Sequence, residues 1–128
     1  MKNVAFDNVT LVLPAKSEYV STARLTASSV ANRIGFNIDE VEDIKVAVSE
    51  VCNIILSKMG DEISQYKISF GINSDNLEIT FTGEKMELKC LGESVENEYG
   101  LYIMEALMDT VVLCKNDYSI VMTKKIGE

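Results

Sequence analysis

Apolar residues recur with two different spacings along this chain, and each spacing predicts a type of element. Residues 8–13 alternate between apolar and polar side chains and stop at Pro14, which predicts an opening strand. From Ser17 to Gly35 the apolar positions recur at helical spacing, and this pattern predicts a first helix. Its apolar stripe comprises Val20, Ala23, Ala27, Val30, Ala31 and Ile34.

A second helix is predicted directly after the first. Residues 37–40, with the sequence Asn-Ile-Asp-Glu, have the spacing of a capping box, in which the first and fourth side chains satisfy backbone amides at a helix start. Gly60 is predicted to end this helix. Its apolar stripe comprises Val41, Ile44, Val48, Val51, Cys52 and Ile55.

The spacing then changes to alternation, which is typical of strands. Residues 66–72 and 77–81 alternate on either side of a polar turn at residues 73–76, and this arrangement predicts a β-hairpin. The next segment, residues 83–98, is polar and irregular and carries five glutamates. We expect it to be a loop.

The C-terminal quarter predicts one short helix and two closing strands. The helix covers Tyr99 to Met108, and the strands cover residues 110–114 and 118–124 around a turn at Asn116-Asp117. The resulting order βααββαββ predicts an α+β two-layer sandwich, in which the helices lie on one face of a mixed, mainly antiparallel sheet.

Composition limits the organisation of the chain. With 128 residues, one proline and seven glycines, it has no stretch typical of a flexible linker, and we expect one domain over residues 1–128. The apolar runs are too short to span a bilayer, and the N-terminal segment lacks the apolar core of a secretory signal. We therefore expect a cytoplasmic protein.

The charge of the chain argues against nucleic acid and anionic membranes as partners. The formal net charge is −8, with 12 basic against 20 acidic residues. Nucleic-acid affinity comes mainly from lysine and arginine on phosphates, and this chain has few of them. An acidic surface of this kind suits a basic protein partner better, although it also serves solubility.

The cysteine and histidine content excludes several kinds of chemistry. The three cysteines, Cys52, Cys90 and Cys114, are widely spaced and odd in number, so we expect no disulfide framework. The chain has no histidine, which excludes a Ser-His-Asp triad and a phospho-accepting histidine. A structural zinc site is not expected.

Three blocks of sequence resemble one known family. They are residues 13–36 (LPAKSEYVSTARLTASSVANRIGF), residues 39–53 (DEVEDIKVAVSEVCN) and residues 99–111 (YGLYIMEALMDTV). In this order and spacing they resemble the anti-sigma-factor serine kinases of the GHKL ATPase superfamily, with the closest likeness to the anti-sigma-B branch. The resemblance covers nearly the whole chain and implies the Bergerat, or histidine-kinase-like ATPase, fold.

The resemblance implies a catalytic role for Glu50 but leaves the metal ligand in question. In the family this glutamate is a general base, and an asparagine four residues later binds Mg²⁺. Here that position is Ile54, and Asn53 lies one residue early. One residue rotates a side chain by about 100° around a helix, so Asn53 would bind metal only if the helix adjusted locally. Solvent contact or a local hydrogen bond is the alternative.

The family motifs for adenine and phosphate are also altered. The aspartate expected after the central hairpin is replaced by Phe81 or Gly83, depending on the register, and Phe81 also fits as a core residue. At the start of the last helix Gly100 and Leu101 match the phosphate-binding motif, but Glu98 replaces its first glycine. We therefore expect ATP and Mg²⁺ to bind weakly or not at all.

The resemblance also implies protein partners. Arg24, near the edge of the first helix's apolar stripe, matches the arginine that relatives use to contact a sigma factor and an anti-anti-sigma antagonist. The alternative is an ordinary solvated arginine. Relatives form homodimers through their N-terminal region, and we expect the same here.

Three hypotheses about function follow. The first is an anti-sigma factor that sequesters a sigma factor and is displaced by an antagonist through competition, without phosphorylation. The second is an active ATP-dependent serine kinase that phosphorylates the antagonist. The third is a ligand-binding or structural domain on the same fold. The altered motifs favour the first.

Overall fold

The computed structural model describes residues 7–83, 99–114 and 119–126. The predicted loop and the predicted turn at Asn116-Asp117 lie outside the described residues, as do Cys90 and Glu98. The described elements are β1 (Asp7–Pro14), a 3-10 turn (Ser17–Tyr19), α1 (Val20–Ile34), α2 (Ile38–Met59), β2 (Gln65–Ile72), β3 (Asn76–Gly83), α3 (Tyr99–Leu107), β4 (Thr110–Cys114) and β5 (Ser119–Lys125).

The predicted order of elements is confirmed. One difference lies at the start of the first helix, where residues 17–19 form a 3-10 turn and the α-helix begins at Val20. No side chain caps this turn at Lys16, and uncapped helix ends commonly tighten into 3-10 geometry.

The five strands form one sheet in the order β1-β2-β3-β5-β4. All four described pairings are antiparallel, so the mainly antiparallel sheet of the prediction is confirmed and contains no described parallel pair. Tyr66, Ile68 and Phe70 of β2 are buried, whereas Gln65 and Lys67 on either side of Tyr66 are exposed. This alternation is typical of a sheet that packs helices on one face and meets solvent on the other.

The predicted boundary between the two long helices is confirmed. Gly35 follows α1 with a φ of 109°, a left-handed conformation that glycine adopts without steric cost. At the start of α2 the Asn37 side chain accepts a hydrogen bond of 2.8 Å from the Glu40 amide, and the Glu40 carboxylate accepts one of 2.9 Å from the Asn37 amide. These two bonds are the predicted capping box.

The second helix is the centre of the helical layer, since it packs against α1 on one side and α3 on the other. All the residues of its predicted stripe are buried, together with Ala47, Ile54 and Met59. Burying α2 over most of its length fixes its position, and the side chains that it presents to α3 are fixed with it. Among the described residues, no helix has the length and apolar character needed to traverse a bilayer.

Candidate functional site

A concavity of about 280 Å³ lies where α2 meets the start of α3. It contains three residues that the sequence singled out, Glu50, Asn53 and Gly100. The residues that line it are Glu50, Asn53, Ile54, Ser57, Lys58, Tyr99 and Gly100. Its members come from α2 and α3, which end and begin forty residues apart in the chain, at Met59 and Tyr99, so the fold brings them together.

Gly100 makes the closest approach in this concavity. A Cβ atom built on it would lie 2.8 Å from Ile54 Cδ1 and 3.1 Å from Glu50 Oε1. Real Cβ atoms essentially never come within 3.0 Å of another heavy atom, so a larger residue would require the Ile54 side chain to move. The Ile54 side chain is only 6% exposed. We refer to the packing of Glu50 and Ile54 on Gly100 as the α2–α3 contact.

The residues of this concavity do not fit a magnesium ion. Mg²⁺ requires a near-octahedral shell of oxygen ligands, usually one or two carboxylates with phosphates and water. At the position that the family uses for its ligand, Ile54 instead presents a buried hydrocarbon chain. Asn53 is exposed at the rim and Glu50 is half-buried.

The other predicted nucleotide residues do not line this concavity. Phe81 is fully buried, and its register neighbours are Ile68 and Ile120, so it is a core residue. Gly83 lies at the end of β3, beside a different concavity of about 220 Å³ that Tyr66 and other residues of the neighbouring strands line. Leu101 is buried, so its side chain points into the core.

Helix α1 presents a separate surface. Arg24 is exposed, and the next residue, Leu25, is 70% exposed. Leu25 borders a concavity of about 610 Å³ between α1 and the beginning of β1, whose lining also includes Val9, Arg33 and Ile72. Apolar side chains beside charged ones are typical of surfaces that bind proteins.

No pattern in the sequence predicted this concavity. The signal in the sequence was Leu25, a large apolar residue outside the buried stripe of its helix. Its meaning depends on the position of β1, which local periodicity does not give.

A buried pair of polar side chains lies under α2. The Cys52 thiol and the Tyr66 hydroxyl are neighbours in the core, and no hydrogen bond of ordinary geometry satisfies that hydroxyl within the described chain. Burial raises the pKa of the Cys52 thiol to about 11 and also raises the pKa of Tyr66. Because reactive cysteines have lowered pKa values, Cys52 is a structural residue.

Comparison with known proteins identifies the family. The sequence matches the histidine kinase-like ATPase domain family over residues 13–124. Because this match covers most of the chain and agrees with the described fold, the protein belongs to this family.

Within the family, the chain is similar to serine-protein kinases named RsbW. It is 39% identical to RsbW of Oceanobacillus iheyensis, over 96% of this chain and 89% of that relative. It is 35% identical to RsbW of Bacillus cereus and of Bacillus mycoides, in each case over 94% of this chain and 86% of the relative. The resemblance inferred from the three sequence blocks is thereby confirmed.

Proposed function

We propose that this protein is a cytoplasmic anti-sigma factor that sequesters an RNA polymerase sigma factor and releases it when an anti-anti-sigma antagonist competes for the same surface. The observation that carries the proposal is the similarity to RsbW over nearly the full length of both chains. The exposed pair Arg24 and Leu25 on α1 supports it, because arginine beside an apolar side chain is a frequent anchor in protein interfaces.

The second part of the proposal is that partner binding does not depend on nucleotide. Its support is the α2–α3 contact, where Ile54 stands in place of a metal ligand and packs on Gly100. A hydrophobic side chain there cannot ligate the cation that shields triphosphate charge. Competition between the protein partners would then decide whether the sigma factor is bound or released.

An active serine kinase is the alternative that a specific observation favours. Glu50 lines the concavity beside Asn53 and Gly100, as a general base for phosphoryl transfer would have to. The relatives are themselves named serine-protein kinases. A ligand-binding or structural domain is the third candidate, and the concavity beside α1 is the feature that it would use.

Titration calorimetry tests the main proposal. The purified protein is titrated with a candidate sigma factor, with and without millimolar Mg-ATP, and then with the antagonist as competitor. We expect the same dissociation constant in both conditions and displacement by the antagonist alone. A complex that forms only with Mg-ATP, or transfer of labelled phosphate to the antagonist, would favour the kinase instead. Failure to bind any sigma factor or antagonist would favour the third candidate.

A homodimer is part of the proposal. Strand β1 is at one edge of the sheet, and in the described chain it pairs only with β2. A free edge is a template for another strand, and a charged side chain on it blocks such pairing. We expect Val12→Asp on β1 to convert a dimer to a monomer in sedimentation velocity.

The matched control is Val112→Asp on β4, the opposite edge. The two valines have nearly equal exposure, 49% and 50%. If both variants remain dimers, the dimer does not use β1, and a monomeric wild-type protein would remove the homodimer from the proposal.

A further inference from the structure

The side chains that form the α2–α3 contact determine whether the position of α3 depends on nucleotide. Two side chains of α2 rest on one glycine of α3: the apolar chain of Ile54 and the carboxylate of Glu50. A side chain at that glycine would require one of them to move. The contact therefore forms directly between the two helices, with nothing between them.

We propose that Ile54 holds α3 against α2 without the help of a bound cation, so that the position of α3 is independent of Mg-nucleotide. This inference rests on the proposed function, because a nucleotide-independent contact is useful to a regulator that works by competition. It assigns that independence to one residue and makes it measurable on the isolated protein.

The physical argument starts from what each side chain would need at position 54. A polar ligand in this buried place would lose hydration and would require a cation or another partner to compensate. The contact would then be stable only with the cation bound. An isoleucine needs no partner, since burying its hydrocarbon surface is favourable in itself. Its β-branch also restricts the side chain to one rotamer in a helix, which keeps it directed at the glycine.

Of the two adjacent isoleucines of α2, Ile54 is the one whose side chain contacts Gly100. Ile55, the next residue, is fully buried, but it lies about 100° further around the helix. Truncating Ile54 should weaken the attachment of α3 specifically. The same truncation at Ile55 removes equal volume from the core and should weaken the fold as a whole.

Hydrogen exchange of backbone amides, followed by mass spectrometry, provides the test. In the wild-type protein we expect the exchange rates of α3 to change less than twofold on addition of millimolar Mg-ATP. In Ile54→Ala we expect α3 to exchange at least tenfold faster while the hairpin β2–β3 changes much less. In Ile55→Ala we expect both regions to accelerate together.

Two results would overturn the inference. One is slower exchange of α3 in the wild-type protein with Mg-ATP, which would mean that nucleotide holds the helix. The other is equal acceleration of α3 and the hairpin in Ile54→Ala. If Ile54→Ala does not fold, Ile54→Val is measured instead, with a smaller selective acceleration of α3 expected and the same criterion.

Failure of this inference is distinguishable from failure of the proposed function. Exchange in α3 is read on the protein alone, whereas sigma-factor binding is read by calorimetry. A protein that binds its sigma factor while α3 responds to Mg-ATP would retain the anti-sigma role and lose the role assigned to Ile54.

Discussion

At the scale of single residues, the tightest packing in the candidate site surrounds Gly100. Alanine at this position would place a methyl group 2.8 Å from Ile54 Cδ1. Alanine favours helices by up to about 1 kcal/mol over glycine, but overpacking costs about 1–3 kcal/mol. The contacted atoms are ends of the Ile54 and Glu50 side chains, which can shift, so we expect Gly100→Ala to lower the free energy of unfolding in urea by up to about 2 kcal/mol.

Gly71 provides the matched control for that substitution. A Cβ there would meet only the Glu78 carbonyl oxygen, at an ordinary distance of 3.6 Å. We expect Gly71→Ala to change the unfolding free energy by less than about 1 kcal/mol. Equal effects of the two substitutions would contradict the close contact at Gly100.

The buried thiol of Cys52 predicts a dependence of stability on pH. Burial raises its pKa from the ordinary 9.0 to about 11, so the folded state binds the proton more tightly than the unfolded state. The resulting stability is fully present below about pH 9 and is lost as the pH rises towards 11.

The measurement is the unfolding free energy of the wild-type protein and of Cys52→Ala at about pH 8 and about pH 10. We expect the stability advantage of the wild type to shrink by about 1 kcal/mol over this range, since one pKa unit corresponds to about 1.4 kcal/mol. Burial, the largest cause of the raised Tyr66 pKa, is present in both proteins, so the difference between them reports mainly on Cys52. A constant difference would show that the thiol is not held in its neutral form.

At the scale of elements, the capping box fixes where α2 begins, and therefore which residues reach α3. The Asn37 side chain satisfies one of the amides that a helix start leaves unpaired. We expect Asn37→Ala to lower the free energy of unfolding by about 1 kcal/mol, measured by denaturation followed by circular dichroism. Asn32→Ala is the control, because Asn32 is exposed within α1 and caps no helix. A similar loss in both variants would mean that the cap contributes nothing.

The sequence predicts which face of each long helix is buried, but not which element packs against it. The apolar stripes of α1 and α2 predicted their buried faces, because the periodicity of a helix is set by its own backbone geometry. The element that packs against each face is not predicted by this periodicity. Ile54 is buried although it lies outside the predicted stripe, because α3 packs over it.

At the scale of the whole molecule, α1 offers two exposed arginines on opposite sides. Arg24 and Arg33 are nine residues apart, which places them about 180° from each other around the helix. If Arg24 anchors the sigma factor, Arg24→Ala should weaken binding by about 2 kcal/mol, roughly thirtyfold in the dissociation constant.

Arg33 lines the concavity that Leu25 borders, so Lys67→Ala, which removes one positive charge from the exposed face of β2, serves as the control in calorimetry. We expect it to change the dissociation constant less than threefold. An equal loss in both variants would indicate a general effect of charge, and no loss in either would place the partner elsewhere.

The sequence by itself determined the elements, their order and the faces that they bury. Gly35, the capping box and the alternation in β2 act through neighbours within a few residues, so the sequence contains the information directly. The family resemblance also singled out Glu50, Asn53 and Gly100, and these three residues line one concavity.

Only the tertiary structure decided what those residues contact. In the tertiary structure Ile54 packs on Gly100, and Gly83 lies beside a different concavity of the sheet. The concavity between α1 and β1 also forms only when these elements pack together. These contacts join segments far apart in the chain, and their distances follow from how whole elements pack. Local periodicity describes one element at a time, so it cannot predict them.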